Sequence, residues 1–245
     1  SPLSLFTTVG NSQKPDVIAA KILEGRSAIF CDGTPHVLTV PHLFVENIQT
    51  SEDYYIRPFI ATLLRSVRVL ALLISVLLPS LYVALQTYHQ EMIPTALLIT
   101  MSGAREGIPF PALAEAFLMI VIFELLRESG TRLPRAIGSA VSIVGALVIG
   151  DAAVNAGIVS PPMVMVVAIT AVASFIIPSL TEIMTIYRFI LLFLGGVMGI
   201  YGIACGVFIM AVQAVSLRSF GIPYTSSMAP FNAESMKDYI IRFPL

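Results

Sequence analysis

Charge is scarce in this 245-residue chain: 12% of its residues are Asp, Glu, Lys or Arg, while 56% are hydrophobic and the mean hydropathy is +0.87. A soluble domain carries about 25% charged residues. So few polar groups cannot cover a protein surface, and lipid must cover part of it. A net charge of −1 excludes a bulk electrostatic attraction to nucleic acid. Cysteine is nearly absent. Cys31 stands in a polar stretch and Cys205 in an apolar run, which makes neither a disulfide framework nor a metal-ligand spacing. Three scattered histidines, His36, His42 and His89, read as surface or interfacial residues. Catalytic signatures are missing as well: there is no H-E-x-x-H, no phosphate-cradling glycine loop and no G-x-S-x-G elbow. VIGD at 148–151 lacks the first glycine of a G-x-G-D motif, and no second membrane aspartate accompanies it. No enzyme, metal centre or cofactor is expected. The opening SPLSLFTTVG holds no initiator Met and no charged region followed by an apolar core, so it reads as a point inside a longer protein rather than a signal peptide.

What is present divides into three parts: residues 1–55 as the end of a soluble α/β domain, 56–217 as a transmembrane domain, and 218–245 as a tail. In the first, KPDVIAAKILEG opens with Pro15 and closes with Gly25, the start and stop signals of a short helix. SAIF and HVLTV flank CDGTP, a strand, an Asp32-Gly33 turn and a second strand. The apolar remainder breaks at its charges and prolines. Val67–Tyr88 is long enough for about 30 Å of hydrocarbon and contains Pro79. Met92–Met101 is too short to cross and too apolar to lie in water, which fits a re-entrant segment. Ala112–Leu126, Ala136–Val154 and Pro161–Leu180 follow. Ile186–Leu217 is so long that it must tilt, project or break. The fold class expected is mainly α, a polytopic helical membrane domain of about 4–6 segments after a small α/β remnant.

Arg57, Arg65 and Arg68, then Arg127, Arg132 and Arg135, then Arg188 mark one side of the membrane as cytoplasmic, while 89–111 and 151–162 fall outside. Arg218, Lys237 and Arg242 place the tail inside, but a single crossing by 186–217 would place it outside. That conflict stays open at the level of sequence.

SGAREGIPFPALAEAF, Ser102–Phe117, sits on the outer side. Gly103 and Gly107 permit sharp turns, and Pro109 and Pro111 enforce extended backbone. Arg105 and Glu106 then line a wet vestibule, meet a neighbouring subunit, or simply decorate a turn. Glu115 and Glu124 are ionisable groups in an apolar span, and they are pore-lining candidates. Nine residues apart, they lie on opposite helix faces and cannot act as paired carboxylates. Glu124 can meet Arg127 and Glu128 one turn on, and Glu128 can meet Arg132. Gly195, Gly199, Gly202 and Gly206, spaced 4, 3 and 4, share one face of a continuous tilted helix and serve close helix packing, within the chain or in an assembly.

Several long motifs, in order, carry a resemblance: SLFTTVG and DGTP, PFIATLLRSVR, GAREGIPFPALAEA, FELLRESGTRLPRAIGSAVSIVGALVIGDAAVNAGIVSPPMV, SFIIPS, and SFGIPYTSSMAP. The chain resembles the C-terminal part of the A subunit of GerA-type spore germinant receptors over essentially its whole length. It departs from the family pattern at Asp151 and Asn155, and at a junction where Arg188 stands alone. The resemblance implies a multi-pass subunit of the spore inner membrane with its N-terminal domain on the core side. It implies a nutrient receptor that triggers germination as an oligomeric nutrient-gated ion channel. Its partners would be a permease-like B subunit, a lipoprotein C subunit, further copies of itself and membrane lipid. A secondary transporter is disfavoured by the lack of an internal repeat. A non-conducting scaffold is the other alternative.

Overall fold

The computed structural model describes residues 5–132, 145, 148–226, 228–229 and 239. Most of the expected span 136–154, the side chain of Arg132, and Arg135, Lys237 and Arg242 lie outside these residues. The chain divides into two compact units. One comprises Ser1–Ala71, Ile177–Ile183 and Phe208–Leu245, and the other Leu72–Ile176 and Met184–Val207.

In the first unit, β1 (Gly10–Ser12), β2 (Ser27–Phe30) and β3 (Val37–Val40) form an antiparallel sheet in the order β1-β3-β2. β2 pairs β3 from Ser27 opposite Val40 to Phe30 opposite Val37, around the expected turn. Gly33 there has φ +83°, and its N–H donates to the Asp32 carboxylate over 3.0 Å, the local bond that makes Asp-Gly a turn former. β1 is an addition to the sequence reading. Helix α1 (Pro15–Leu23) begins at its proline, and Gly25, at φ +84°, supplies the left-handed residue that stops it.

The C-terminal tail belongs to this unit. β4 (Arg218–Ser219) and β5 (Ile222–Pro223) pair across Phe220 and Gly221, both with positive φ. Ser219 Oγ receives the His42 N–H at 3.0 Å and donates to the Thr8 carbonyl at 2.6 Å. Phe44 N–H donates to the Tyr224 carbonyl at 2.9 Å, and the Tyr224 ring packs against Phe6 and Phe44.

The longer described elements that remain are α-helices: α2 (Pro58–Thr87), α3 (Thr95–Ala104), α4 (Ala112–Arg132), α5 (Pro161–Ile176) and α6 (Thr181–Ser216). Among the described residues two helical stretches, α2 and 178–216, are long and apolar enough to cross a membrane; α3 and α5 are shorter apolar helices. The second unit centres on Tyr82 and Val83 of α2, Ala112, Ala116, Met119 and Ile120 of α4, Met163 and Val167 of α5, and Leu192 of α6. The small alanines of α4 let its neighbours approach.

The expected continuous helix over 186–217 is corrected. Gly199, with φ +63° and ψ −148°, is not helical, and it breaks α6 into two arms. A Cβ placed at Gly202 would collide with the Leu194 carbonyl, and one at Gly206 with Leu191. Residues 8 and 15 apart in sequence touch, so the arms fold back on each other. Each arm, 181–198 and 200–216, is about 26 Å long at 1.5 Å per residue.

Candidate functional site

Breaks in apolar helices leave backbone groups without partners, and each such group costs about 1–3 kcal/mol when buried. Three such places in the second unit are met by a polar side chain from elsewhere in that unit.

The first lies at Pro79, inside α2. Proline has no N–H, so the carbonyl four residues back, that of Ser75, loses its helical donor. Arg188 Nε of α6 donates to this carbonyl over 2.8 Å. Its Nη1 donates to Glu124 Oε1 of α4 at 2.9 Å. Glu124 also accepts from the Thr185 hydroxyl at 3.1 Å and pairs with Arg127 Nη2 at 2.6 Å. Arg188 is 1% exposed and Arg127 about 20%, so only Arg127 reaches the surface. One carboxylate thus ties α2, α4 and α6 together against two cations.

The second break is Gly199. It frees the last carbonyls of the first arm, and the Tyr88 hydroxyl at the end of α2 lies 2.8 Å from the Val197 carbonyl and 3.2 Å from that of Gly196. His89 packs against Gly199, where a Cβ would come within 2.9 Å of its ring.

The third is the start of α5. Glu115 is completely buried, and its Oε1 accepts the Ser160 N–H at 2.6 Å and the Ser160 hydroxyl in a short hydrogen bond. A carboxylate at a helix N-terminus lies where the helix dipole stabilises negative charge. Arg105 Nη2 approaches the other oxygen, Oε2, to 3.5 Å, an ionic contact rather than a hydrogen bond.

The residues singled out from sequence distribute as follows. Arg105 ends α3 and donates to the Phe110 carbonyl at 3.3 Å. Glu106, Pro109 and Pro111 are exposed. Gly107 has φ +90°, and neither it nor Gly103 has a neighbour within 4 Å of a would-be Cβ. Glu115 and Glu124 belong to separate networks. Gly195, Gly199, Gly202 and Gly206 of α6 are buried, Gly195 against the Ser80 carbonyl and the others as described, and the break at Gly199 parts the single face that their spacing suggested. Sequence reasoning missed Arg188 as a partner of Glu124. The signal was Pro79, which announces a carbonyl in want of a donor.

A further ionic cluster lies in the first unit. Asp53, fully buried, accepts from Arg65 Nε at 3.1 Å, from Arg68 at 2.7 and 2.9 Å, and from the Thr50 N–H at 3.2 Å. Burial pushes the Asp53 carboxyl up, but the Arg68, Thr50 and Arg65 bonds together hold it below its ordinary value. Glu46 is met by Lys21 at 2.9 Å, His42 at 3.1 Å and Arg26 at 3.2 Å. Burial again opposes ionisation, yet the His42 bond and the Lys21 charge hold the Glu46 carboxyl at about 2. Among the described residues no group of three or more His, Cys, Asp or Glu is placed to hold a metal ion.

Over residues 1–245 the sequence matches the family described as Bacillus/Clostridium GerA spore germination protein. It is 54% identical over 241 residues to Spore germination protein KA of Bacillus subtilis (strain 168), covering 98% of this chain and 44% of that protein. It is 49% identical over 243 residues to the Uncharacterized membrane protein YfkQ of the same organism, covering 98% and 47%. Spore germination protein GerLA of Bacillus cereus is 45% identical over 244 residues, with 99% and 50% covered. The chain spans about half the length of these curated relatives. No solved structure matches.

Proposed function

The chain belongs to the Bacillus/Clostridium GerA spore germination protein family, and from that membership we propose that it is the membrane part of a germinant receptor A subunit, a multi-pass protein of the spore inner membrane that forms an oligomeric, nutrient-gated ion path. The two apolar helices long enough to cross, the paired arms of α6 and the shorter apolar helices supply the passages. A permease-like B subunit and a lipoprotein C subunit complete the receptor, and residues 1–55 end a core-side soluble domain.

The observation that carries this reading is the charge held inside the apolar helices. Arg188 stands in a stretch long and apolar enough to cross, and Glu115 and Glu124 stand in the 21-residue α4; ionisable groups buried in a membrane part are costly and mark ion paths or their gates. The stretch 103–111, with Arg105 at its start and Glu106 exposed, forms the outer mouth. Spores carrying Arg105→Ala and Glu106→Ala in the full-length subunit, at normal protein levels, test it. Nutrient-triggered ion release is expected to slow, and release at the normal rate would remove the mouth from the pathway.

A further inference from the structure

His42 is 6% exposed, and both of its ring nitrogens face oxygen. Nδ1 lies 3.1 Å from Glu46 Oε2, and Nε2 lies 3.2 Å from Asn47 Oδ1. Asn47 turns its oxygen to the ring because its nitrogen is committed elsewhere. Nδ2 donates to the Phe44 carbonyl at 3.2 Å and to the Tyr224 hydroxyl at 3.3 Å. Turning the amide over would set Oδ1 against the Phe44 carbonyl, two acceptors with no proton between them. An imidazolium donates from both nitrogens and satisfies both oxygens. A neutral ring has one proton for the two.

A neutral ring keeps its proton on Nδ1, where the Glu46 carboxylate accepts it. Nε2 then points a lone pair at Asn47 Oδ1, and turning the amide only moves the conflict to Phe44. The tail seals this arrangement. Tyr224 is fully buried, its carbonyl accepts the Phe44 N–H at 2.9 Å, and Ser219 Oγ accepts the His42 N–H at 3.0 Å. Asn47 is 6% exposed under it, so only undocking of the tail admits water to settle the conflict. The charged and titratable groups that meet the cluster are Lys21 and Arg26, which share Glu46, and Tyr224. Burial opposes ionisation of Glu46, yet the His42 bond and Lys21 keep its carboxyl at about 2, and burial pushes the Tyr224 hydroxyl up to about 12. Both hold their charge states from pH 5 to 8, the range in which histidine changes its own.

We propose that His42 is a proton-dependent latch for the C-terminal tail: its charged ring holds the Asn47 amide toward Phe44 and Tyr224, and its neutral ring opposes that amide and loosens the tail. The docked tail fits the charged ring and the undocked tail tolerates either form. Docking is therefore firm at low pH and weakens as pH rises and His42 loses its proton. The device lies wholly within the first unit and does not depend on ion conduction.

Amide hydrogen exchange of the full-length subunit in lipid nanodiscs, read by mass spectrometry on a peptide spanning 217–226, tests this between pH 5.5 and 8. After correction for base-catalysed chemistry, exchange in the unsubstituted protein is expected to quicken about 5-fold over this range, the worth of one neutral hydrogen bond. His42→Gln carries no titrating ring, and its corrected exchange is expected to stay level. A level profile in the unsubstituted protein would overturn the proposal, as would the same rise in His42→Gln. Should His42→Gln not fold, Asn47→Ala takes its place, since it removes the amide that opposes the neutral ring. Loss of the rise in that variant supports the latch, and a rise of unchanged size sinks it.

Discussion

Replacing Arg188 and Pro79 singly and together tests whether the buried arginine serves a proline-freed carbonyl. In Arg188→Met the Ser75 carbonyl loses the donor 2.8 Å away, and Pro79 offers no N–H in its place. Glu124 keeps Arg127 at 2.6 Å and Thr185 at 3.1 Å, so its charge stays compensated. The carbonyl therefore accounts for most of the penalty, about 1–3 kcal/mol for a buried polar group left unpaired. In Pro79→Ala the new N–H can reach the Ser75 carbonyl, which has two lone pairs and can keep Arg188 as well. Adding Pro79→Ala to Arg188→Met then restores the donor. The double-mutant cycle should show a favourable coupling of about 1–3 kcal/mol. Unfolding titrations of the four proteins in mixed detergent micelles supply the energies. Effects that add to within about 0.5 kcal/mol would refute the assignment, since Arg188 would then act only through Glu124.

Cysteines replacing Leu191 and Gly206 should form a disulfide readily, because Gly206 abuts Leu191 across the fold at Gly199; on a straight helix 15 residues would separate them by about 22 Å, and no cross-link on non-reducing gels would restore the straight helix. Asp53→Asn removes the buried carboxylate that meets Arg65 at 3.1 Å and Arg68 at 2.7 Å, and it should cost about 3–5 kcal/mol in unfolding titrations; a cost under about 1 kcal/mol would show the cluster to be hydrated. Glu46 has a folded carboxyl at about 2, below its ordinary 4.5, so its stabilisation is full above 4.5 and is lost as pH falls from 4.5 towards 2. Glu46→Gln should flatten that part of the stability–pH curve, and an unchanged curve would exclude Glu46 as its source.

Local signals were legible in the sequence, and long-range repair was not. Pro15, Gly25 and Asp32-Gly33 act on their own few residues, and α1 and the β2–β3 turn stand where those residues put them. The Glu124–Arg127 spacing is likewise local to one helix, and the pair measures 2.6 Å. Arg188 reaches Glu124 across 64 residues and Ser75 across 113, distances that no periodicity encodes. The glycine face of α6 misled for a different reason. Spacings of 4, 3 and 4 describe one face of a straight helix, but the same small residues let two arms meet once Gly199 takes a φ that other residues resist. Length held the clue, since about 48 Å of helix does not fit one passage.

The fold at Gly199 also bears on the tail. Within the first unit Ser219 and Tyr224 bond directly to His42, Phe44 and Asn47. If α6 passes twice, as proposed, the tail and residues 42–47 lie on one side, which agrees with Arg218 and removes the conflict left by a single crossing. Exposed Cys31 and a Met228→Cys substitution should then react with a membrane-impermeant maleimide from the same face of a sealed vesicle. Labelling from opposite faces would mean that α6 crosses once, and that the contacts between the tail and His42 do not form in the membrane.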